Sequence, residues 1–206
     1  MKAIAVVNNH RLSPDSKTES SHISPSLIDI PDSCLIRSGK PFFIPEFDSD
    51  FRAYPSIAVR INRLGKCIAP VFAPRYWGEL TGAVSIRGEQ TLGRLRANGL
   101  PWSEALVFDR SLIVGDLVGK DSLPEQFSLL TVCGDKTISI SEIDLAESID
   151  MTISRVSRHN TVRQGDFILV GLAPEGIPLS APSRLTMSLV DKEGKEIMPL
   201  LSNNIR

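Results

Sequence analysis

Fourteen prolines and fourteen glycines are spread through 206 residues at near-regular intervals. Each proline removes a backbone donor, and each glycine loosens the chain, so long helices are disfavoured. The punctuation predicts many short strands joined by turns, with about two short helices. Met1–Val7 reads as a first strand: it is too short for a secretory leader, and polar Asn8-Asn9-His10-Arg11 follows with no small-residue cleavage site. Further strands are expected over Ile57–Lys66, Ala83–Arg87 and Phe167–Val170, with a last pair flanking the turn at Asp191–Lys195. Ser38–Pro45 reads as a turn followed by an edge segment. Helical spacing appears over Gln90–Ala97, with Leu92 and Leu95 apolar and Gly99 just beyond, and over Asp150–Arg158, with Ile149, Ile153 and Val156 on one face. No alternating strand–helix rhythm is present, so a Rossmann-like sheet is not expected. Leu12–Ser26, rich in serine, reads as a polar mobile loop within one domain over residues 1–206.

A net charge of −1 supplies no electrostatic reason to bind nucleic acid or an anionic membrane surface. No apolar run is long enough to span a bilayer. The three cysteines, Cys34, Cys67 and Cys133, are odd in number and widely spaced. They argue against a disulfide framework or zinc site and read as reduced core cysteines in a cytoplasmic protein. His10, His22 and His159 fall in no ligand pattern, and His159 suits the last turn of a helix. The acidic runs Glu46–Asp50 and Glu142–Glu147 read as solvated turns. Arg87-Gly88-Glu89, followed by Arg94 and Arg96, reads as a solvated Arg–Glu helix face beside which a small anion could sit. Trp102 and Phe108 are expected in the core, and Gly171 and Gly176 in turns.

Several stretches together resemble the fumarylacetoacetate hydrolase family. They are Lys40–Phe47, Ala58–Lys66, Gly99-Leu100-Pro101-Trp102, Phe108-Asp109, and Gln164–Ile168 followed by Gly171. The resemblance, which takes in 2-hydroxyhepta-2,4-diene-1,7-dioate isomerases and acylpyruvases, runs from about Lys2 to Arg206. It implies an α+β, β-rich fold, a mixed β-sandwich or β-roll with few short helices. It also implies a homodimer and metal-dependent hydrolysis, decarboxylation or isomerisation of 2-oxo acids. In that family three carboxylates hold Mg²⁺, Mn²⁺ or Ca²⁺, two from a Glu-x-Glu pair on one strand and an Asp on the next.

Carried onto this chain, the pair falls on Tyr54 and Ser56 and the Asp on Ser85. A family Lys-Pro reads Ile30-Pro31. The acid/base histidine expected just beyond Asn9 is missing, with Ser13 in its place. The late Thr-Gly-Thr-Pro loop reads Gly171-Leu172-Ala173-Pro174. Hydroxyls alone do not hold a hard divalent ion, so neither metal nor family catalysis is expected. The reading that follows is a non-catalytic relative that binds a small oxo-acid or pairs with an active one. The alternative is a metal-free enzyme with Asn9, Tyr54, Ser85, Arg87 and Glu89 around an oxo-acid, Arg87 clamping its carboxylate and Glu89 acting as base.

Overall fold

The spine of the protein is a pair of strands much longer than the punctuation predicts. The computed structural model describes residues 1–9, 25–141 and 144–206. In it β4 runs Phe51–Ile61 and β5 runs Trp77–Gly88, paired antiparallel from Phe51↔Gly88 to Ile61↔Trp77. Pro55 does not break β4, and the neighbouring strands show why. On that side β10 (Phe167–Leu172) ends beside Ser56, and β11 (Ile177–Pro178) begins beside Ala53. The N–H and C=O of one strand residue point the same way. The Pro55 carbonyl accepts from the Ala173 N–H at 2.8 Å. The missing donor therefore faces the connection between β10 and β11, where no ladder bond is required.

Around this spine lie β1 (Lys2–Val7), β2 (Ser26–Pro31), β3 (Leu35–Arg37), β6 (Leu112–Val114) and β7 (Val118–Gly119). The sheet order is β2-β1-β10-β4-β5-β6-β3, with β7 also on β5 and β11 on β4. Pairs β1–β10 and β3–β6 are parallel, so the sheet is mixed. A second, antiparallel sheet comprises β8 (Ser128–Cys133), β9 (Lys136–Ser141), β12 (Ser183–Val190) and β13 (Glu196–Ile205), in the order β13-β12-β8-β9. The result is the strand-rich α+β architecture expected from the sequence. Phe42, expected in an edge segment, bridges to Ile205 and is buried.

Alternation along the strands sorts the side chains. Ala53, Ile57 and Val59 of β4 and Leu80, Val84 and Ile86 of β5 face Met187, Leu189 and Leu201 of the second sheet in the main core. Each such fully buried aliphatic side chain contributes roughly 1.5–3 kcal/mol. Tyr54 and Ala58 of β4 and Ala83 of β5 belong to a separate cluster on the other face. Ser56, Ser85 and Arg87 share that parity, so this face carries the site.

Both expected helices form, as α1 (Glu89–Ala97) and α3 (Ile149–His159), and a short α2 (Ser103–Leu106) was not foreseen. The Ser148 hydroxyl caps α3, whose buried stripe includes Ile149, Ile153 and Val156, and His159 lies in its last turn. Asp48 corrects the reading of Glu46–Asp50 as a solvated turn. Its Oδ2 accepts from the Thr91 N–H at 2.7 Å, standing in for the side chain that the N-cap residue Gly88 lacks. A Cβ on Gly88 would lie 2.7 Å from that same oxygen. Burial pushes the Asp48 carboxyl up, but the N–H groups of Asp50, Thr91 and Gln90 and the Thr91 hydroxyl outweigh it and hold the group below its ordinary value. Asp48→Ala is expected to cost about 1 kcal/mol in chemical denaturation. Because the folded-state pKa is depressed, this contribution is complete above the ordinary value of 3.8 and disappears as the pH falls below it. An unchanged midpoint near neutral pH would refute the capping role.

Other expectations need correction. Trp102 is 48% exposed, so it is no core anchor, whereas Phe108 is partly buried against Phe51 and Phe47 in edge-to-face pairs. Cys34 and Cys133 are buried, but Cys67 is exposed. Glu147 is not a solvated turn residue; it forms an ion pair with Arg155. His10, His22, Ser13, Glu142 and nearly all of the Leu12–Ser26 loop lie outside the described residues, and Ser26 itself opens β2. Among the described residues no helix is long and apolar enough to cross a membrane.

Candidate functional site

The three positions that the resemblance marks as metal-ligand sites meet on one face of the β4–β5 pair. Tyr54 stands directly opposite Ser85, and Ser56 opposite Ala83. Two residues beyond Ser85, on the same face, is Arg87, and Glu89 begins α1 immediately after the strand. The Tyr54 hydroxyl donates to Glu89 Oε1 at 2.7 Å. The Arg87 guanidinium lies over the Tyr54 ring, 4.2 Å from its centroid. Gly176 makes room for that ring: a Cβ there would come within 2.7 Å of it. The sequence carried no signal for this, since close approach of a residue 122 positions away becomes visible only in three dimensions.

The electrostatics are those of a shielded guanidinium. Arg87 Nε is buried and has no hydrogen-bond partner among the described residues. Burial, with the Arg96 charge acting the same way, holds the guanidinium below the usual arginine value, although Glu89 pulls it up. Arg52, directly across the ladder from Arg87, is neutralised by Asp50, with Nε–Oδ1 and Nη2–Oδ2 both at 3.0 Å. Burial, together with the hydrogen bond to Glu89, pushes the Tyr54 phenol up to about 12. Tyr54 is therefore a neutral phenol at physiological pH. The expected Arg–Glu face is corrected accordingly: Glu89 engages a tyrosine, and Arg94 of α1 forms an exposed ion pair with Glu104 of α2 at 3.3 Å.

Asn9, the remaining candidate, is fully buried with its amide committed elsewhere. Its Nδ2 donates to the carbonyls of Val170 (2.6 Å) and Glu147 (3.2 Å) and to the Thr152 hydroxyl (3.2 Å), and its Oδ1 accepts from the Glu147 N–H at 2.7 Å. That set of bonds fastens β10 to α3. Gly171, expected in a turn, lies within β10, where a Cβ would come within 2.7 Å of Leu145 and 3.2 Å of the Asn9 carbonyl.

The donors available to a divalent ion are poor. Tyr54 offers a protonated hydroxyl already bonded to Glu89, Ser56 donates to the Ile57 carbonyl at 3.0 Å, and Ser85 offers one hydroxyl. Among the described residues, no three His, Cys, Asp or Glu side chains are grouped to hold a metal. These residues do not fit the family's ion, which requires several anionic oxygens. An open cleft of about 610 Å³ is lined in part by Ile28, Asp29, Arg96, Leu100, Trp102 and Val107.

No protein-family model matches the chain. Among solved structures, a fumarylacetoacetate hydrolase family protein from Yersinia pestis CO92 superposes with a TM-score of 0.84 at 21% identity, covering 100% of this chain and 92% of that one. This is the fold of the fumarylacetoacetate hydrolase family. The fumarylpyruvate hydrolase of Pseudomonas aeruginosa, solved with Mn²⁺ and pyruvate, has the same fold, with a TM-score of 0.81 at 17% identity, covering 100% and 89%. In sequence, the mitochondrial oxaloacetate tautomerase FAHD1 of Rattus norvegicus is 26% identical over 150 residues, 71% of this chain and 67% of that protein. The resemblance to the fumarylacetoacetate hydrolase family read from the sequence is borne out in fold and in these relatives.

Proposed function

We propose that this protein binds a small 2-oxo acid, or a carboxylate like it, on a fumarylacetoacetate hydrolase fold without a divalent ion and without turning it over. The observation that carries the reading is Arg87, a shielded guanidinium held over Tyr54 with no acceptor for its Nε among the described residues. A shielded cation costs stability unless an anion meets it, and arginine meets a carboxylate with two parallel N–H bonds. The Pseudomonas relative, solved with Mn²⁺ and pyruvate, supplies the class of acid. Beside the positions that the resemblance marks for the ion, a divalent cation would meet the Arg87 charge, neutral hydroxyls and a Glu89 carboxylate already engaged by Tyr54. A homodimer, implied by the resemblance, is part of the same proposal.

Thermal unfolding with oxalate tests it. Oxalate at 100 times its dissociation constant adds about 2.7 kcal/mol, which raises the midpoint by several degrees. Mg²⁺ or Mn²⁺ is expected to add nothing further. A shift that requires metal and oxalate together would overturn the reading.

The Tyr54–Glu89 hydrogen bond favours a second reading. A carboxylate beside the acid could move a proton from the enol oxygen of a 2-oxo acid to its neighbouring carbon, a tautomerisation that needs no co-reactant. In that case Glu89→Gln abolishes enol-to-keto conversion of oxaloacetate while oxalate still binds. Conversion that is absent, or unchanged by the substitution, removes Glu89 from any such role.

A further inference from the structure

The open cleft is lined by large apolar side chains together with Asp29, Arg96 and Ser103. Its walls include Leu27 and Ile28 of β2, Leu100 and Trp102 beyond α1, and Leu106 and Val107 at α2. Its volume, about 610 Å³, suits a small molecule. Trp102 and Leu100 are 48% and 46% exposed, an unusual state for large apolar side chains next to one another in a concavity.

Two observations join this cleft to Arg87. First, Ile28 and Val107 pack against the same apolar cluster that contains the Tyr54 ring, and also against the cluster formed by α1 and α2. Second, α1 connects the two places. Glu89, at its start, holds the Tyr54 hydroxyl. Arg96 lines the cleft with its guanidinium 4.9 Å from the Trp102 ring centroid. Residues seven apart in a helix share a face and are separated by about 10 Å along the axis. The one lining cation, Arg96, is already engaged on an aromatic ring, and the lining carboxylate, Asp29, leaves no place there for an acid head. Arg87, whose Nε has no hydrogen-bond partner among the described residues, lies at the other end.

The geometry points to a single elongated site whose ligand is an amphipathic acid, with its carboxylate on Arg87 and a bulky apolar or aromatic end in the cleft against Trp102. This rests on the Arg87 reading above and extends it to the rest of the ligand.

The test compares 4-phenyl-2-oxobutanoate with 2-oxobutanoate, which have the same acid head with and without a ring, by titration calorimetry on the full chain. The ring is expected to tighten binding by about tenfold or more. Trp102→Ala, at a half-exposed position that should not disturb folding, is expected to remove that advantage and leave 2-oxobutanoate binding unchanged. Arg87→Leu is expected to remove binding of both acids. Equal affinity for the two acids in the unmodified protein would overturn the extension while leaving Arg87 as a carboxylate site. Aryl-acid binding that survives Arg87→Leu but not Trp102→Ala would make the cleft a separate site and overturn the joined one. Binding of neither acid would overturn the Arg87 reading and this inference together.

Discussion

Gly82→Val is expected to leave little folded protein. Gly82 lies in β5 with Leu80 and Val84 two residues to either side, all on the face turned toward the second sheet. A Cβ there would lie 1.8 Å from Met187 Sδ and 3.2 Å from its Cγ. Met187 is fully buried in β12, so it has no solvent-facing rotamer to retreat to. Overpacking a close-packed core costs typically 1–3 kcal/mol. Two more methyl groups on a central strand should pass about 4 kcal/mol, a large share of a domain's stability. Gly82→Val combined with Met187→Ala should recover much of the loss, since the removed side chain is the obstacle. Chemical denaturation of the single and double variants gives the coupling energy. If the two substitutions are simply additive, contact between the sheets at this point is not what requires glycine. Gly115 provides a contrast: its Cβ would meet the main-chain carbonyl of Leu200 at 2.7 Å, so no single side-chain deletion can rescue a substitution there.

Arg87→Leu is expected to do two opposite things. It should abolish oxalate and 2-oxo acid binding, by about a hundredfold or more, because the charge that meets the carboxylate is gone. It should also make the unliganded protein more stable by about 1 kcal/mol. A shielded cation with an unsatisfied Nε is replaced by an apolar side chain of similar reach, and the gain is partly offset by the lost contact with the Tyr54 ring. For a chain of this size, that gain is a rise of about 2–4 °C in the melting midpoint. A residue kept for packing alone would show the reverse: lower stability and unchanged binding. Calorimetry and thermal unfolding on the same variant separate the two cases.

The interior of the site was only partly legible in the sequence. The period-two spacing of Tyr54 and Ser56 put them on one face, and the strand pairing places Ser85 opposite Tyr54 on that face. The partners of those residues could not be read. Arg87-Gly88-Glu89 looks like an Arg–Glu pair on a solvated helix. A strand end and a helix start point adjacent residues in different directions, so Glu89 reaches Tyr54 while Arg87 stacks on its ring. Asp48 looked like one charge among several because its partner, the first turn of α1, is 43 residues away.

The sequence by itself determined the fold class and the two main helices. These follow from local periodicity, turn residues and side-chain identity, which survive without knowledge of what packs against what. Only the tertiary structure decided the length of the central strands. Pro55 is harmless because two neighbouring strands stop on either side of it, a fact about β10 and β11 rather than about β4. It also decided the partial burial of Arg87 and the exposure of Trp102. Burial depends on what covers a side chain, and the covering groups here come from distant parts of the chain.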